Sequence, residues 1–162
     1  MARQFTSYIN ALNLSYEEEL QGQGYFGELA SFFKNNQKKA LNLMKEIEVI
    51  AVNQLQPLIK KYQLQKSKIE INYFITTGKE EAKLNKEIAW KEFLETIIKT
   101  YPSYLEEFGQ IINLAPKSDK KFIKLLYDHE QAYIDFAHKE MEKSSVSLSL
   151  LERCVREHKN FS

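Results

Sequence analysis

The sequence predicts an all-α protein, a four-helix bundle made of two helical hairpins joined by a long crossover. Three observations carry this. Gly and Pro are scarce, 5 and 3 in 162 residues, so long stretches run without a chain breaker. Apolar residues recur at three- and four-residue spacing through four long segments. Between the second and third of these the periodicity lapses, which leaves room for a connection long enough to cross the bundle.

The first long helix is expected from Ser15 to Lys34. Ser15 and Glu18 have the spacing of a capping box, and Tyr16, Leu20, Gln23, Gly27 and Ala30 form its inward stripe. Phe5, Tyr8, Ile9 and Leu12 suggest a short leading helix before it. The second helix is expected over Gln37 to Lys61, with Leu41, Met44, Glu48, Ala51, Leu55 and Leu58 inward and a kink or restart at Pro57. From Gln63 to Lys83, Ile69, Ile71 and Tyr73 alternate with polar residues. A lone strand would have no partner, so the stretch reads as the crossover.

The third helix is expected over Glu80 to Leu114, bent or divided at Pro102, with Trp90, Leu94, Ile97, Tyr101, Tyr104, Phe108 and Ile112 as its stripe. Ser118 is the expected cap of the fourth, which runs to about Lys143 along Phe122, Leu126, His129, Tyr133, Phe136, Ala137 and Glu140. Residues 1–143 then form one bundle domain. Residues 144–162 form a tail, with a short helix around Leu148–Arg156.

Lys and Arg total 23 and Asp and Glu 22, so no basic face for nucleic acid is expected. No apolar run has the length that spans a bilayer, and the N-terminus lacks a signal-peptide core. The single cysteine, Cys154, rules out an internal disulfide, and a cytoplasmic location is expected. Gly22-Gln23-Gly24 lies inside a helix and lacks the Lys-Ser/Thr ending of a phosphate loop, and no Ser-His-acid motif is present.

The informative residues are polar ones on apolar stripes, because a buried polar group needs a partner or a role. These are Gln23, Glu48, His129, Glu130, Tyr133 and Glu140, from the first, second and fourth helices. The third helix is expected to supply no acid, since Glu92, Glu95 and Glu106 face away from its stripe. Carboxylates and an imidazole converging inside a bundle are the donor set of iron and manganese sites.

The stretches SYEEELQGQGYFGELASFF, MKEIEVIAVNQLQPLI and LLYDHEQAYIDFAHKEME resemble the first, second and last helices of ferritin-like proteins. The resemblance spans most of residues 15–143. It implies a bundle whose interior holds two metal ions on four Glu and two His, the His three residues after a Glu. This sequence departs from that pattern. The first-helix Glu falls at Gln23, Ala51 stands three residues after Glu48, and Tyr133 stands three after Glu130. No Glu-x-x-His occurs anywhere. The expectation is therefore a degenerate site with no metal, or one iron or manganese ion on Glu48, His129 and Glu130, with Gln23, Tyr133 and Glu140 as interior polar residues. The expected function is a binding or assembly module, with an atypical iron or manganese oxidase or oxygenase, or a helical interaction scaffold, as alternatives. A homo-oligomer or a protein partner would fit any of them.

Overall fold

The computed structural model describes residues 1–161. Six helices account for the fold, and there is no strand among the described residues. They are α1 (Tyr8–Ala30), α2 (Asn35–Lys61), α3 (Lys68–Leu84), α4 (Trp90–Leu114), α5 (Lys120–Met141) and α6 (Ser147–Lys159). None is long and apolar enough to cross a membrane. The crossover is itself a helix, α3, and the tail helix is α6.

α1 begins at Ser7, whose hydroxyl accepts from the Asn10 amide. Ser15 is not a cap. It lies mid-helix with its hydroxyl bonded back to the Ala11 carbonyl, so the expected short leading helix and first long helix are one element. α2 passes through Pro57 and α4 through Pro102 without ending. Glu80 to Leu84 close α3 instead of opening the next helix. α5 starts two residues after Ser118, because Asp119 binds elsewhere. Its buried carboxylate accepts from Tyr8 and Tyr62 hydroxyls and from Lys61, tying together the start of α1, the end of α2 and the start of α5.

α1 packs against α2, and α4 against α5. The Tyr8–Tyr62 and Phe33–Trp90 ring contacts, at 5.8 and 5.4 Å, mark opposite ends of the bundle. α3 runs beside α1 in the same direction, from Lys66 near Asn13 to Asn85 near Tyr25, and so delivers α4 to the end at which α2 began. α6 lies against α2 and α5 and contributes Leu151, Cys154 and Val155 to the core.

α3 buries only Gly78 and Ala82, yet it lies very close to α1. A Cβ on Gly24 would sit 2.0 Å from the Ile75 carbonyl oxygen, and one on Gly78 would sit 1.9 Å from that of Gln21. The two helices cross backbone to backbone, which only glycine at both positions permits. Gly78→Ala is therefore expected to destabilise the protein by about 2–3 kcal/mol, read by urea unfolding, because a rigid backbone must move rather than a side chain. Gly109 faces open space, and an alanine there should be tolerated.

Candidate functional site

Halfway along the bundle, the apolar core is interrupted by acids. Glu19 of α1, Glu48 of α2 and Glu130 of α5 are buried, at 4, 4 and 8% exposure, and His129 beside them is fully buried. One ligand atom from each of Glu19, Glu48 and His129 lies within 4.8 Å of the others. His129 Nε2 is 3.6 Å from Glu19 Oε2 and 3.4 Å from Glu130 Oε1. The Tyr133 hydroxyl is 3.0 Å from Glu48 Oε1 and 3.1 Å from the Met44 carbonyl. Gly22 makes room for this: a Cβ there would meet the Glu48 carboxyl carbon at 2.8 Å.

Burial in this apolar setting holds the carboxyls of Glu19 and Glu48 above the usual carboxylate range. Their mutual proximity adds to this for Glu19. Glu130 is pushed up to about 8, first by burial and then by the charges of Glu18 and Glu107. Burial pushes His129 the other way, toward the neutral imidazole. Tyr133 has one hydroxyl proton for two acceptors, so a protonated Glu48 that donates to it leaves that proton for Met44. Even so, Glu19 Oε2, Glu130 Oε2 and both His129 nitrogens are buried with no hydrogen-bond partner.

Of the residues singled out in the sequence, Glu48, His129, Glu130 and Tyr133 come together. Gln23 does not join them: it is half-buried and lies outside the cluster, and Glu19 takes the place expected for it. Glu140 lies away from the cluster and accepts from the Ser147 hydroxyl at the start of α6. The expectation that the third long helix supplies no acid is also corrected. Glu107 of α4 is 5% exposed, and both its oxygens are taken by Arg3, at 2.9 Å from the Arg3 amide and 2.7 Å from its guanidinium. Arg3 also grips Glu18.

The sequence carried a signal for both missed acids. Glu19 is seven residues from Leu12 and from Phe26, both buried, so it shares their face. Glu107 lies three after Tyr104 and four before Ile111.

α1 and α4 pack only loosely against each other, and a cleft of about 560 Å³ opens between them. Glu19, Glu48, Glu130 and Tyr133 line it from within. Tyr25, Phe93, Ile97, Tyr101, Tyr104 and Phe108 form much of its wall. Trp90 is not among the lining residues. It is partly buried and stacks on Phe93 at the edge of the core.

The donor set suits one cation. An octahedral ion with metal–oxygen distances of about 2.1 Å places adjacent ligand atoms roughly 3 Å apart and opposite ones roughly 4.2 Å apart. The observed spread reaches that geometry with small side-chain movements. Two carboxylates and a neutral imidazole are donors that iron and manganese accept, and Glu19 Oε2 and a His129 nitrogen are free of other partners. A second ion fits poorly. Glu107 and Glu18 are neutralised by Arg3, and the positions three residues after Glu48 and Glu130 hold Ala51 and Tyr133. Comparisons with protein-family models, with curated proteins and with solved structures find no match to this chain.

Proposed function

We propose that this protein is a ferritin-like bundle with a reduced metal site, binding one iron or manganese ion on Glu19, Glu48 and His129, and that it acts as a binding protein. The observation that carries the reading is the convergence of three buried donors from three helices, with Glu19 Oε2 and both His129 nitrogens lacking any other partner. Leaving such atoms unpaired costs roughly 1–3 kcal/mol each. Coordination removes that cost at Glu19 Oε2 and at one of the His129 nitrogens. The connection supports the same family reading: α1 with α2 and α4 with α5 form two hairpins, and a helical crossover reverses the chain between them.

A bound ion would supply a fixed positive charge that keeps all three carboxyl groups around it ionised. The cleft favours one alternative, an oxidase or oxygenase, because it connects Glu19 and Glu48 with solvent.

The test is metal content. Protein purified in a chelator, loaded anaerobically with Fe(II) or with Mn(II) and desalted, is expected to retain one ion per chain by elemental analysis. Retention of two, or of none, overturns the reading. Oxygen uptake by the iron-loaded protein would move the assignment to the oxidase alternative.

A further inference from the structure

The cleft has a composition of its own. Seven glutamates line it, Glu18, Glu19, Glu48, Glu81, Glu92, Glu107 and Glu130, while no Lys, Arg or His does. Arg3 lies behind the wall and neutralises Glu18 and Glu107. An ion on Glu19, Glu48 and His129 would account for two more. That leaves Glu81 and Glu92, both exposed, and Glu130, which lines the cleft and whose Oε2 is buried and unpartnered.

Around Glu130 stand phenol rings. Tyr101 lies 5.3 Å from Tyr104 and 6.2 Å from Tyr133, centroid to centroid, with the planes tilted at 58 and 59°. Glu130 lines the same cleft as Tyr101, Tyr104 and Tyr133. A carboxylate set among aromatic faces is a receptor for an ammonium group, which gains from the ion pair and from the ring quadrupoles at once. The apolar part of the wall is made by Phe93, Ile97 and Phe108 from α4, with Tyr25 from α1. The volume is in the range of small-molecule sites.

We propose that the cleft binds an organic cation, an aryl- or alkyl-ammonium compound whose charged head meets Glu130 among Tyr101, Tyr104 and Tyr133 and whose apolar body lies along α4. The proposal extends the reading of this region as a binding site and does not require the ion. Glu130 and the apolar side chains of the wall are present without it, and an ammonium head beside Glu130 itself favours the ionised carboxylate.

The probe is 2-phenylethylamine, titrated calorimetrically into the full-length protein in EDTA and again after Mn(II) loading. Its size-matched comparators are neutral 2-phenylethanol and anionic phenylacetate, with spermidine as a cation lacking the apolar body. The amine is expected to bind at least tenfold more tightly than the alcohol, with no detectable phenylacetate binding and with spermidine weaker than the amine. Glu130→Gln should remove the amine's advantage while leaving the alcohol unchanged. Thr100→Phe, on the cleft wall and bonded only to its own helix, should block both.

Equal binding of amine and alcohol, tighter binding of spermidine, or no binding of 2-phenylethylamine in either metal state overturns the proposal. Amine binding in EDTA by a protein that retains no metal would leave this proposal standing and the single-ion reading refuted. Retained metal with no amine binding would do the reverse.

Discussion

In EDTA, the protein should melt at a lower temperature at pH 8.5 than at pH 6, by roughly 5–10 °C. Most globular proteins vary little over that range. Glu130 sets the sign. Its folded-state value is raised to about 8 from 4.5, so the folded protein binds a proton that the unfolded chain has already lost. The associated stability is complete below the unfolded value and disappears as pH rises through the folded one. Applying the linkage relation to Glu130 alone gives a loss of about 2.5 kcal/mol between pH 6 and 8.5, and about 2–4 °C per kcal/mol converts this to the stated shift for a chain of this length. Glu19 and Glu48 are raised by the same burial and act in the same direction.

The buried histidines act the opposite way and lower down. His129 is depressed, and His158 is depressed to about 4 by burial and by the neighbouring His129, so both cost stability as pH falls below the unfolded imidazole value near 6.5. The metal-free protein should therefore be most stable in mildly acidic solution. Saturating Mn(II) should abolish or invert the loss at pH 8.5, because an ion binds the ionised carboxylates and competes with their protons. Differential scanning calorimetry at the two pH values, with EDTA and with Mn(II), checks both halves. A metal-free protein more stable at pH 8.5 than at pH 6 would show that these carboxyls are not buried as described.

The helices that were easiest to read in the sequence are those buried along one stripe. All six stripe residues of α2, from Leu41 to Leu58, are buried, and in α5 Leu126, His129, Tyr133, Phe136 and Ala137 are too. α3 was unreadable for the opposite reason. Its inward stripe, Ile71, Phe74, Ile75, Gly78 and Ala82, is only partly buried and ends in two small residues, while the exposed Ile69 and Tyr73 fall at alternate positions with Ile71 and imitate a strand. Its real signature was local, a capping box in which Ser67 and Glu70 satisfy each other's amides.

The site was half legible. Glu48, His129, Glu130 and Tyr133 stood out because each breaks an apolar stripe. Glu19 was hidden inside the run Glu17-Glu18-Glu19, which resembles the solvated first turn of a helix starting at Ser15. Because the helix begins eight residues earlier, at Ser7, that run falls at mid-helix, where one residue in three or four must face inward. Arg3 could not have been placed at all. Its partner Glu107 is 104 residues away, and nothing local in the sequence encodes that pairing.

Glu19→Gln is the substitution with the most contrasting expected effects. Glu19 has the least compensated carboxyl of the cluster: burial comes first, followed by repulsion from Glu48 and Glu130, and its Oε2 accepts no hydrogen bond. An amide of nearly the same shape cannot ionise, and its N–H can donate to the Glu48 carboxylate. In EDTA at pH 8 the variant should gain about 1–2 kcal/mol over the wild type, consistent with the stabilisation often seen when buried charge is replaced by a neutral isostere. With Mn(II) the order should reverse. Losing one of two anionic donors should weaken ion binding by at least about a hundredfold, so the variant forgoes the stabilisation that a saturating ion gives, which grows with the logarithm of ligand over dissociation constant. Gln23→Ala provides the control. Gln23 is half-buried outside the cluster and should change neither quantity by more than about 0.5 kcal/mol. Thermal melts with and without Mn(II), together with a competitive titration against a fluorescent chelator, read both effects. A Glu19→Gln protein that is destabilised in EDTA, or that binds Mn(II) as tightly as the wild type, would mean that Glu19 is a structural hydrogen-bonding residue and that the ion, if one binds, is held without it.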